Sequence, residues 1–229
     1  MSFNPDKCEI IRISRKRTPI IYDYKLHDQI LKTTDKAQYL GITITKDLSW
    51  NNHINTISNK ANASLQFIKR NIKTNNIKTK ETAYKTYVRP KLEYCNIIWD
   101  PWQKDLINRL EMTQRRAARY TLNQYHYQSS VSAMLQQLEW PTLQQRRNLT
   151  SVTMLYKIQH QLVNIITPPN YMIPTRDHKF LLPFSPTNYH AHSFFPKAIK
   201  IWNSLPSAVA YSPDLDLFKS DASSFLYTF

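Results

Sequence analysis

Apolar positions change their period near Trp50. Before it, Cys8–Ser14 alternates Cys8, Ile10, Arg12 and Ser14 against Glu9, Ile11 and Ile13, and Ile20–Leu26, Gln29–Thr33 and Gln38–Thr45 are further short β-rich runs. This period of two predicts strands, the second and third meeting in a hairpin across His27-Asp28. From Trp50 onward, Ile54, Ile57, Ala61, Leu65, Ile68 and Ile72 follow at steps of three or four, the stripe of one long amphipathic helix. A second helix runs from about Thr79 to Pro90, which ends or kinks it. A third covers roughly Gln103–Leu122, and shorter ones fit Val131–Leu138 and Thr142–Val163. Thr142 with Gln145 three residues on is a capping box for the last of these. The stretch Thr167–Pro196 is rich in proline and aromatics and reads as an extended strap, with terminal helices over Lys197–Leu205 and Leu215–Leu226. The predicted fold class is α-dominated α+β. A small N-terminal antiparallel sheet occupies 1–46, a helical bundle and connecting region 47–164, and a Pro/aromatic-rich C-terminal strap 165–229.

Composition narrows the chemistry. The 229 residues include a single glycine, Gly41, where a share of about 7% would give roughly sixteen. A P-loop or a dinucleotide fingerprint needs several glycines to bring backbone amides against phosphate, so neither can be built. Proline and asparagine must end helices where glycine usually does. Cys8 and Cys95 are too few for a disulfide framework or a four-ligand zinc site. No apolar run reaches the length of a membrane span and the first residues hold no apolar leader core, so the expectation is an intracellular protein, nuclear or cytoplasmic, without a membrane partner.

Charge points to a partner. Lysine and arginine number 31 against 16 acidic residues, a formal net charge of +15. Between Asn51 and Tyr120 there are 14 basic and 5 acidic residues, so under a third of the chain carries most of the excess. Such a concentration is the footprint of a polyanion-binding surface. On a helix of about 100° per residue, with Arg109 at zero, Leu106, Ile107, Leu110, Ala117 and Tyr120 fall within about 20° to 160°. Lys104, Arg115, Arg116 and Arg119 fall on the other side, at about 220° to 340°. Arginine's planar fork holds phosphate oxygens two at a time, which a merely solvated face does not require. Trp50, Trp99, Trp102, Trp140 and Trp202 border the helices and read as core anchors rather than base-stacking platforms.

Several short motifs occur in a specific order: Asn4-Pro5-Asp6-Lys7-Cys8-Glu9, Tyr39-Leu40-Gly41-Ile42-Thr43-Ile44, Leu48-Ser49-Trp50-Asn51-Asn52-His53-Ile54, and Tyr87-Val88-Arg89-Pro90-Lys91-Leu92-Glu93-Tyr94. Gln114-Arg115-Arg116-Ala117-Ala118-Arg119-Tyr120, Ser193-Phe194-Phe195-Pro196-Lys197 and Trp202-Asn203-Ser204-Leu205-Pro206 complete the series. Together they resemble the end of the reverse transcriptase domain of LINE-like, jockey-like non-LTR retrotransposons, across nearly the whole chain. The resemblance implies that 1–46 is the end of the palm, with a primer-grip-like strand at Tyr39, Leu40 and Gly41. It makes 47–164 a thumb-like region and 165–229 the end of the polyprotein.

The resemblance also implies what this chain does not do. The family's RNA-directed DNA polymerase activity uses two Mg²⁺ ions bridged by palm aspartates. This sequence holds no Asp-Asp pair, and its closest aspartates are Asp214 and Asp216 near the C-terminus. The expectation is a fragment, with Met1 an internal methionine of the parent, that has no catalytic residue, metal site or cofactor of its own. It is expected to bind RNA, DNA or an RNA–DNA hybrid. Tyr39, Leu40, Gly41, Lys69, Arg70, Lys104, Arg109, Arg115, Arg116 and Arg119 are the expected contacts. The alternatives are a helical protein-interaction module with a basic surface, or a non-functional remnant.

Overall fold

The computed structural model describes residues 3–14, 16–126, 128–168 and 171–227; Pro169 and Asn170 of the expected strap lie outside them. Two compact units divide the chain, 1–59 and 60–229. The division falls inside a helix, α1 (Asn51–Asn71), and not at 46/47. The start of α1 belongs with the strands because His53 Nδ1 accepts the backbone N–H of Thr43 at 3.3 Å.

The first unit holds β1 (Glu9–Ile10), β2 (Lys25–Leu26), β3 (Gln29–Ile30), β4 (Lys32–Thr33), β5 (Lys36–Tyr39) and β6 (Ile42–Thr45). The expected single antiparallel sheet is instead three two-stranded ladders. Two are antiparallel, β2–β3 and β5–β6, whereas β1 pairs β4 in parallel, Glu9 opposite Lys32 and Ile10 opposite Thr33. His27 and Asp28 join β2 to β3 with φ of 48° and 62°, the two left-handed residues that a tight hairpin turn requires. The expected strand Gln38–Thr45 is broken at Leu40 and Gly41, with φ of 46° and 82°. The only glycine serves a second tight hairpin, and Tyr39 pairs with Ile42 across it.

After α1 come α2 (Ile77–Tyr87), α3 (Arg89–Glu93), α4 (Asn96–Trp99), α5 (Lys104–Leu122), α6 (Val131–Gln137) and α7 (Leu143–Gln159). Asn76 caps α2 through the N–H of Thr79, and Ser130 caps α6 through that of Ala133. Both arms of the Thr142–Gln145 capping box form at α7. Pro90 separates α2 from α3, in whose first turn its missing N–H costs nothing. Where glycine would close a helix, Cys95, Asn123, Glu139 and Gln161 take φ between 51° and 55° after α3, α5, α6 and α7. Asparagine tolerates this conformation best; the other three carry the steric cost of a Cβ.

The chain ends with α8 (Asn188–Ala191), α9 (Phe194–Ser204), α10 (Ser207–Ala210) and α11 (Leu215–Leu226). α7 is the spine of this part: Val152, Leu155 and Tyr156 share a buried cluster with Ala198, Ile199 and Trp202 of α9 and Phe218 and Ala222 of α11. Residues 165–229 therefore share their core with the preceding helix. The proline-rich strap is pinned to α9, where Asn203 exchanges two hydrogen bonds with the backbone of Phe180, and Trp202 Nε1 donates to His178 O at 2.8 Å.

A second core joins α2, α5 and the turn before α7. Tyr84 stacks on Trp140 at 4.5 Å and donates to Gln114, whose amide donates to Pro141 O. Burial pushes the Tyr84 phenol far up, so it stays a donor. Trp99, Trp140 and Trp202 are buried and Trp50 and Trp102 half-buried, anchors as expected.

Candidate nucleic-acid interface

The predicted division of α5 into two faces is present. Leu106, Leu110, Ala117 and Tyr120 are buried and Ile107, at the edge of the apolar arc, is half-buried, while Lys104, Arg109, Arg115 and Arg116 are exposed and Arg119 is half-buried. Arg115, Arg116 and Arg119 come together along a groove of about 680 Å³ between α5, α6 and the start of α7. Val131, Ser132 and Leu135 form the opposite wall, with Thr142 and Gln144 at one end. None of the three arginines makes an ion pair among the described residues; Arg116 donates to Asn62 Oδ1 of α1 at 3.2 Å.

Two helix N-termini, those of α6 and α7, open toward this groove, and such ends attract anions. At α7 the attraction is already answered from within. The carboxylate of Glu111 accepts the N–H groups of Leu143 and Gln144 at 3.3 and 2.9 Å. Burial raises the Glu111 pKa, opposed by these two amides and by Arg147 and Arg115. Three guanidinium groups against one buried carboxylate leave the groove cationic.

The remaining expected contacts do not share it. Lys104 and Arg109 lie on α5 outside the groove, and Arg70 is exposed at the end of α1. Lys69 is half-buried between the rings of Tyr120 and Tyr125. Desolvation and the neighbouring Arg116 charge lower its pKa. Tyr39, Leu40 and Gly41 form the exposed tip of the β5–β6 hairpin in the other unit.

Some basic residues proved to be internal. Lys80 is buried and donates to Tyr120 O at 3.1 Å and to Asn123 Oδ1 at 2.7 Å, capping the negative end of α5. Its place on the buried stripe of α2, with Ala83 and Tyr84 three and four residues on, was the readable signal. Asp214 and Asp216 are also committed: Asp214 caps α11 through two backbone amides, and Asp216 pairs with Lys219. Among the described residues no group of three or more His, Cys, Asp and Glu side chains is placed to hold a metal ion, and no helix is long and apolar enough to cross a membrane.

The fold and the groove define an α-dominated α+β chain with a cationic channel on its helical part. No family model matches the sequence, and no curated protein and no solved structure matches it either.

Proposed function

We propose that this chain is the end-of-palm, thumb-like and C-terminal portion of a LINE-like reverse transcriptase, which binds RNA, DNA or an RNA–DNA hybrid and does not polymerise by itself. One observation carries the reading. Arg115, Arg116 and Arg119, brought together from one helix face, line a groove whose one carboxylate, Glu111, is taken up by two backbone amides, and none of the three forms an ion pair among the described residues. Three forks in a row suit successive phosphates along a strand. The hairpin tip at Tyr39, Leu40 and Gly41, two-thirds or more exposed at its first two side chains, is a second surface suited to a strand. Both belong in an intracellular setting, nuclear or cytoplasmic.

Salt dependence tests this. Each neutralised phosphate contributes about −0.9 to the slope of log K against log salt on duplex. Arg115→Gln, Arg116→Gln and Arg119→Gln together flatten that slope on an RNA–DNA hybrid by roughly two to three units and weaken binding almost equally for all sequences. An unchanged slope, with helical circular dichroism intact, assigns the groove to solvent or a protein partner instead.

A further inference from the structure

A smaller cleft, of about 180 Å³, lies where the C-terminal ends of α1 and α5 meet. Its walls are built by long-range hydrogen bonds. Tyr120 Oη donates to Ile72 O at 2.8 Å, and Asn123 Nδ2 donates to Asn75 Oδ1 at 3.1 Å. Lysines 69, 73 and 80 line it, with Tyr120 and Tyr125, and no carboxylate does.

These three cations are not equivalent. Lys80 is spent on the carbonyl end of α5, whose partial negative charge it answers. Lys69 has no such partner: among the described residues it forms no hydrogen bond and no ion pair. Its Nζ sits 5.9 and 5.8 Å from the ring centres of Tyr120 and Tyr125, at the outer limit of a cation–π contact. It has lost part of its hydration and faces another cation, Arg116, so its charged form is held at a cost. Lys73 is exposed at the mouth. A compact anion entering here relieves Lys69 and meets the Lys73 ammonium at the mouth.

We propose that this cleft is a phosphate site, with Lys69 and Lys73 supplying its charge. The volume corresponds to about six waters at ~30 Å³ each, room for one phosphate group and below the ~300 Å³ at which whole-ligand pockets begin. Phosphate is favoured over carboxylate because a phosphate monoester carries about −1.5 to −2 charge near pH 7 and so answers two ammonium groups, where a carboxylate answers one. The proposal rests on the nucleic-acid reading only for the source of the phosphate, a strand end or an internal linkage.

The test uses the full chain with ¹³Cε-labelled lysine and follows the Lys69 resonance, assigned by Lys69→Met. Inorganic pyrophosphate is titrated first. The expected result is a saturable shift at Lys69 and Lys73, with the Lys69 titration moving to higher pH in the bound state. Single-stranded DNA of one sequence, with and without a 5′-phosphate, follows. A terminal source gives at least tenfold tighter binding of the phosphorylated strand, lost in Lys69→Met; an internal source gives equal binding of both, weakened equally by Lys69→Met with Lys73→Gln. A Lys69 signal unmoved by pyrophosphate and by both strands overturns the site. If the strands bind meanwhile, through the arginine groove, the nucleic-acid reading stands without it. A Lys69 shift with pyrophosphate, but no strand binding at low salt, keeps the site and overturns that reading.

Discussion

Replacing Asp100 with asparagine tests a buried cluster of charges. Asp100 follows α4 and faces two cations from distant segments, Arg147 of α7 and Lys197 of α9. The Arg147 side chain is only 1% exposed; its Nε donates to Asp100 Oδ1 at 2.8 Å and its Nη2 to Gln144 Oε1 at 2.9 Å. Its Nη1 finds no protein acceptor. In Asp100→Asn the guanidinium stays buried, with Gln144 and a neutral amide for company. Removing one partner of a buried pair costs about 3–5 kcal/mol, because the charge left behind stays buried without its bonded counter-ion. At about 2–4 °C per kcal/mol for a chain of this size, the melting temperature falls by roughly 6–20 °C, followed by far-UV circular dichroism of the helices. The control is Asp100→Leu with Arg147→Met and Lys197→Met, which removes all three charges and stays within about 2 kcal/mol of the parent. A fall below about 2 °C in Asp100→Asn refutes the reasoning, since the pair would then be hydrated enough to contribute nothing.

The β5–β6 turn predicts opposite effects at adjacent positions. Gly41→Ala at φ 82° loses about 1 kcal/mol, whereas Leu40→Asn at φ 46° gains up to about 1 kcal/mol, read as shifts of the urea midpoint monitored in the strand unit. Glu111 predicts a pH dependence. Its folded pKa lies above the ordinary glutamate value of 4.5, chiefly through burial, so the folded state holds the proton more tightly than the unfolded chain. Wild-type stability relative to Glu111→Gln therefore falls as pH rises from about 4.5 through the folded value and is flat above it. Paired urea titrations across that range check the sign; a difference that grows with pH contradicts it.

Features set by neighbours in sequence were readable from sequence. The capping box at Thr142 and Gln145, the left-handed pair His27-Asp28 and the two faces of α5 each depend on residues within a turn or two, and each formed as expected. The α-dominated α+β class follows from the same local patterns. The Leu40–Gly41 turn was hidden because leucine occupies a slot normally signalled by Asn or Asp, leaving an apparent unbroken strand. The ladders depend on partners that a strand's own alternation does not name. The alternation in Cys8–Ser14 gives a face but no partner, and pairing reduced that strand to Glu9–Ile10 against β4. Arg146 and Arg147 look like surface charge in the sequence, yet their partners Glu93 and Asp100 lie 53 and 47 residues away.

That last point bears on the groove. Most acidic residues between Asn51 and Tyr120 are committed to holding helices together. Glu81 receives Lys85 and the indole of Trp140, Glu93 receives Arg89 and Arg146, and Asp100 receives Arg147 and Lys197. Glu111 is turned inward to the amides that open α7. Four carboxylates of the most basic stretch are thus consumed in holding α2, α3, α5, α7 and α9 together. Cations drawn from later in the chain, Arg146, Arg147 and Lys197, are consumed with them. Arg115, Arg116 and Arg119 on α5, with Lys69 and Lys73 on the α1 side, form no ion pair among the described residues. The groove along α5 thus keeps cations that the fold does not use, and a polyanion gains more from them than the fold does.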